Sequence, residues 1–191
     1  MPAPTSVTDC LARLRDGDAG ALDRLLPLVY DELRALAGAQ LRHERTGHTL
    51  SATALVHEAY VRLADRDRLG ARDRSHFFAI AAQSMRRVLI DHARGRRRLK
   101  RGQGQDAVPL DAVADLVGDQ AAEELLALDA ALDRLALLSP RAAQVVERRF
   151  FAGLSMEETA ESMGTSVRTV RRDWVQARAW LRKEIATDLP A

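Results

Sequence analysis

The chain has 191 residues, enough for one ordinary domain or two small ones, and an apolar fraction of 47% that suffices to bury cores. Aromatics make up only 4%, with alanine and leucine supplying much of the apolar share, so those cores are expected to be helical. Net charge is +2, and the lone Cys10 excludes both a disulfide framework and a zinc site of paired cysteines.

Residues 1–7 hold two prolines and small side chains, and helical periodicity begins near Thr8 (Cys10, Leu11, Leu14) before the turn signal Asp16-Gly17-Asp18. A second helix is predicted over 19–43 from Leu22, Leu25, Leu26, Val29, Leu33, Leu36, Ala37 and Leu41. A third is predicted over 51–65, with Ser51 as N-cap and Ala52, Leu55, Val56, Ala59 and Leu63 as its apolar stripe. A loop around Gly70 separates it from a fourth helix over 76–98, which opens on Phe77 and Phe78 and ends in Arg94, Arg96, Arg97, Arg98, Lys100 and Arg101.

Residues 72–101 carry ten Arg or Lys against two acids, whereas 106–135 carry eight acids against one base. Counter-ion release makes the basic cluster a phosphate binder. The two phenylalanines fit either a platform for unstacked bases or an ordinary core. Residues 102–120, with Pro109, lack a sustained helical period and read as a linker. Helices resume over 121–138 (Leu125, Leu128, Leu132, Leu135) and after Ser139-Pro140 through Val145, Val146 and Phe150.

The last pattern, 155–183, is the most specific. A short helix (Met156, Thr159, Ala160, Met163) breaks at Gly164-Thr165-Ser166, where Gly164 should take a positive φ. A longer helix follows, with Val167, Val170, Trp174, Ala177 and Leu181 on one face. Its other face carries Arg168, Thr169, Arg171, Arg172 and Gln176, with Ser166 at the turn. That is the layout of a helix-turn-helix with a recognition helix for the major groove. The expected class is all-α: two small helical domains, 1–101 and 121–186, joined by a flexible linker, the second a helix-turn-helix.

Five histidines without HExxH-type or paired spacing suggest no metal, and no Gly-rich phosphate loop or nucleophile motif suggests an enzyme or a cofactor. No apolar run approaches the about 20 residues of a membrane span, and no basic-then-apolar leader is evident. A cytoplasmic protein without a membrane partner is expected.

In order and spacing, these segments resemble the bacterial sigma factors of the extracytoplasmic-function (ECF) type. The residues that carry the resemblance are LVHEAYVRL at 55–63, FFAIA at 77–81 through VLIDHAR at 88–94 with its basic tail, LSPRAAQVVERRF at 138–150, and ETAESMGTSVRTVRRDWVQARAWLR at 158–182. The resemblance implies an initiation subunit whose partners are core RNA polymerase and promoter DNA, with an anti-sigma factor as a further candidate partner. It implies polymerase docking by the third helix (Leu55, Val56, Glu58, Tyr60, Arg62), minus-ten recognition and melting by the fourth, and minus-thirty-five recognition by the last. The rival from another class is a dimeric helix-turn-helix regulator that binds an operator without polymerase.

One departure stands out. Where the family pattern is close to Asp-Ala-Glu-Asp before Leu-Val, this chain has Ser51-Ala52-Thr53-Ala54. Hydroxyls in place of carboxylates make Thr49, Ser51 and Thr53 candidates for phosphorylation by a Ser/Thr protein kinase, because a phosphate at a helix N-terminus would restore the missing negative charge. Some groups of the family are similar in lacking the acidic motif and are linked to such kinases.

Overall fold

A computed structural model describes residues 6–18, 20–41, 49–64, 70–100 and 119–188; of 49–51, 96–100, 119–122 and 187–188 it describes the backbone only. Among these residues the only regular elements are helices. They are α1 (Val7–Arg15), α2 (Ala21–Gln40), α3 (Thr49–Ala64), α4 (Arg74–Lys100), α5 (Asp119–Leu138), α6 (Pro140–Val146), a π-helical turn (Glu147–Phe151), α7 (Met156–Ser162) and α8 (Val167–Asp188). The predicted linker, 102–120, lies outside the described residues apart from the first turn of α5.

Local chemistry sets the ends. The Ser6 hydroxyl accepts from the Asp9 amide and starts α1. Ser51 is not the N-cap of α3, since that helix already begins at Thr49. Ser139 sits at the cap position of α6 without a side-chain capping bond, and Pro140 fills the first turn, where its missing N–H costs nothing.

The π turn overturns one sequence expectation. The periodicity puts Phe150 on the apolar stripe of Val145 and Val146, but Phe150 is 53% exposed, and Phe151 is buried instead. A π turn inserts one residue into the helical count and rotates the succeeding side chains by roughly a quarter turn, so the burial passes to the next residue.

α1 to α4 bury Cys10, Leu25, Val29, Leu55, Val56, Phe77, Met85 and Val88. This core does not stop at the end of α4. Leu132, Leu135, Val146, Phe151, Ala177 and Leu181 of the second half belong to the same continuous apolar cluster. α4 lies between the halves, touching α2 and α3 on one side and α5 and the π turn on the other. A small satellite core, Val145, Ala160 and Val170, with Met156, Met163, Val167 and Trp174 around it, joins α6, α7 and α8.

Candidate nucleic-acid interface

Ser155 begins α7 with a reciprocal cap: its hydroxyl accepts from the Glu158 amide at 3.0 Å, and its own amide donates to the Glu158 carboxylate at 2.7 Å. The chain then turns at Gly164, whose φ of +61° is the left-handed value expected of it. α8 follows within three residues. Ser166 caps it, accepting from the Thr169 amide at 3.2 Å, with its hydroxyl 2.9 Å from that of Thr169. Ala160 and Val170 are buried where α7 and α8 meet, and the small alanine allows the close approach.

The predicted polar face is where the periodicity placed it. Arg168, Arg171, Arg172 and Gln176 are exposed and Thr169 is half-buried, while Val170, Ala177 and Leu181 are buried on the opposite side. The sequence pattern missed Val175, an apolar side chain 61% exposed on that face. A β-branched group facing solvent among arginines is suited to a thymine methyl.

It also missed Asp173. This carboxylate is only 4% exposed and is gripped by Arg141 of α6 at 2.5 Å, with Arg172 at 3.3 Å. The hydrogen bond from Arg141 holds the Asp173 carboxyl below the usual carboxylate range, against the opposing effect of burial. The pair fixes the rotation of α8 against α6 and so fixes where the arginine face points. Asp173 stands three residues after Val170 and four before Ala177, and a charged residue inside an apolar stripe was the available signal. Trp174 lies between these faces, with the guanidiniums of Arg149 and Arg178 over its ring at 5.5 and 5.6 Å.

The second basic region is α4. Arg94 is described and reaches Asp129 of α5 at 3.2 Å. The side chains of Arg96, Arg97, Arg98 and Lys100, and the whole of Arg101, lie outside the described residues. Phe77 and Phe78 are 1% and 8% exposed, with their rings edge to face at 5.6 Å. In this packing they are core residues, not an open base platform, because α2 and α3 need apolar partners at the start of α4. Phe78 still differs from Phe77. Arg74 sits over its ring at 5.4 Å, and it lines a cleft of about 310 Å³ between the halves together with Glu32, Arg74, Ala152, Leu154 and Glu158. Nearby, the Arg72 amide donates to Nδ1 of His76, and burial together with the Arg148 guanidinium holds that imidazole below the usual histidine range.

On α3, the residues expected to meet polymerase divide. Leu55 and Val56 are 0% and 1% exposed, so as placed they cannot touch a partner: they face α2 and α4 as core. Glu58, Tyr60 and Arg62 are half-buried at the outer edge. The Tyr60 hydroxyl donates to Asp23 of α2, and Arg62 pairs with Asp91 of α4 at 2.8 Å. His57 and Val61, the latter 55% exposed, complete the outward face and were not singled out by the sequence. The first turn of α3 has no acidic residue. Of the three hydroxyls there, Thr53 is half-buried, and the side chains of Thr49 and Ser51 lie outside the described residues.

Residues 4–187 match the ECF sigma factor family. The chain belongs to that family. An RNA polymerase sigma-E factor of Streptomyces coelicolor is 33% identical to it over 113 residues, covering 59% of this chain and 62% of that protein. No solved structure matches. In this ECF sigma factor no group of His, Cys, Asp or Glu among the described residues could hold a metal ion, and no described helix is long and apolar enough to cross a membrane.

Proposed function

We propose that the chain is an alternative sigma factor, which binds core RNA polymerase and directs it to a set of promoters without catalytic chemistry of its own. The observation that carries this is the exposed arginine face of α8, capped by Ser166 and braced by Arg141 and Asp173, in a chain matched to the ECF family over nearly its whole length. In this reading α7 and α8 form a helix-turn-helix that lays Arg168, Thr169, Arg171, Arg172 and Gln176 along the major groove of the minus-thirty-five element. The unit 1–101 docks on polymerase through the outward side of α3 and engages the minus-ten element through α4 and its basic tail. The segment 102–120 connects it to the unit 121–186. Exposed Leu137 and Leu138, at the end of α5, give polymerase an apolar foothold on the second unit.

Regulation fits the same frame. Phosphorylation of Thr49, Ser51 or Thr53 by a Ser/Thr kinase adds charge of about −1.5 to −2 at the start of α3, where the helix dipole favours it and no acidic residue stands in the first turn. An anti-sigma factor is the other candidate for control.

Runoff transcription tests both layers. Specific transcripts are expected only when the chain and core polymerase are combined, whereas a chain that shifts operator DNA unaided and adds nothing to polymerase is a helix-turn-helix regulator instead. Arg168→Ala and Arg171→Ala should each lower the promoter-specific product roughly 5- to 150-fold, the equivalent of about 1–3 kcal/mol per base contact. With protein from induced cells, a Thr49→Ala, Ser51→Ala, Thr53→Ala variant should lose activity. Full activity in that variant would remove the phosphorylation switch.

A further inference from the structure

The two halves of the chain meet along a seam with a charged centre. Arg86 projects from α4 into the second half and is 6% exposed. Its guanidinium lies 2.5 Å from Asp129 of α5 and 3.2 Å from Glu147 of the π turn, and 5.1 Å from the Phe151 ring centroid. Asp129 also takes Arg94, at 3.2 Å. From α2, the Gln40 amide donates to the Phe151 carbonyl at 3.2 Å and to the Ala82 carbonyl at 3.3 Å. Every one of these partners except Ala82 bridges the halves.

We propose that this seam is an autoinhibitory latch: Arg86, clasped by Asp129 and Glu147, holds the two DNA-facing units together in the free protein, and polymerase binds the chain in which the latch has opened. The proposal rests on the sigma-factor reading above. Three features favour a brake over a permanent interface. First, the closed seam engages groups that the sigma-factor reading assigns to initiation. Asp129 occupies Arg94 as a phosphate oxygen would, and Phe78 is enclosed at the cleft that Ala152 and Leu154 close from the other side.

Second, the polar centre is incompletely satisfied. Arg86 Nε and Gln40 Oε1 are buried without a hydrogen-bond partner among the described residues. Burying Arg86 and Asp129 costs desolvation that their pairing only partly offsets, so the charged centre adds little net strength, and separation rehydrates both groups. Closure of this kind is reversible. Third, the tether is long enough. Residues 101–118 could span up to about 60 Å if extended, so opening needs no break in either unit.

The test uses the full chain. Asp129→Asn combined with Glu147→Gln removes both carboxylates while keeping side-chain size. Far-UV circular dichroism should be unchanged, the radius of gyration from solution scattering should rise, and core polymerase should bind roughly tenfold more tightly, because affinity is reduced by the fraction of chain that is closed. If the double variant loses helix, Gln40→Ala, which removes the bridge to Phe151 together with the bond to Ala82 inside the first half, is measured in its place and should give the same changes at smaller size. A folded variant that stays as compact as the parent overturns the latch, and one that expands without binding polymerase better overturns the brake. If neither parent nor variant binds core polymerase, the sigma-factor reading falls and takes the brake with it. Expansion of the variant would then still report what held the seam.

Discussion

Phe77→Ala should lower the unfolding free energy by about 3–5 kcal/mol, read as a fall in the urea midpoint with little change in slope. The ring is 1% exposed and packs among Leu22, Leu33, Val56, Leu63, Ala81 and Met85, where α2, α3 and α4 converge. Truncation removes the transfer energy of the ring and leaves a cavity that three helices cannot close. The companion variant separates core from DNA contact. Phe77→Leu keeps an apolar group in place and should recover most of the stability and the full runoff activity. If Phe77 instead stacked on an unpaired base, Phe77→Leu would stay folded and lose initiation, since base–aromatic stacking is worth about 1–3 kcal/mol per base. The same pair of substitutions at Phe78, which borders the cleft under Arg74, should cost less stability and more activity.

This contrast shows which parts of the molecule were legible in the sequence. The α7–α8 pair was readable because every signal in it is local. Gly164 turns the chain, and Val170, Ala177 and Leu181 recur at one helical period. The seam was not readable, because it joins Arg86 to partners 43 and 61 positions away whose roles depend on one another. Arg86 looked like one more base in a basic stretch, and Asp129 like one more acid in an acidic one. Each nevertheless lies on an apolar stripe, Arg86 four residues after Ala82 and Asp129 three before Leu132, and all four residues are buried. Complementary charges on two apolar faces indicate that the faces meet, but only once both helices have been drawn as wheels. The π turn was hidden for a different reason: nothing in ERRFF announces an inserted residue, and the switch of burial from Phe150 to Phe151 is decided by packing against α4.

Arg86→Ala should change how the chain unfolds more than whether it folds. Because α4 joins one apolar cluster that runs through both halves, the parent should unfold in a single calorimetric transition. Removing the guanidinium leaves Glu147, its side chain 30% exposed, without its ion pair, and Asp129, its side chain 11% exposed, with Arg94 alone, both beside a void. Held shut, such an arrangement costs about 3–5 kcal/mol. The chain has a cheaper course, which is to open and hydrate both acids. Two transitions are therefore expected in place of one, the first carrying the loss of the seam, together with a larger hydrodynamic radius before any helix melts. Arg86→Lys should fall between, since an ammonium keeps the charge but cannot offer a planar fork to two carboxylates or stack on Phe151. A single transition shifted downward by the full cost, at unchanged radius, would mean that the two halves cannot separate and that α4 to α6 form one indivisible unit.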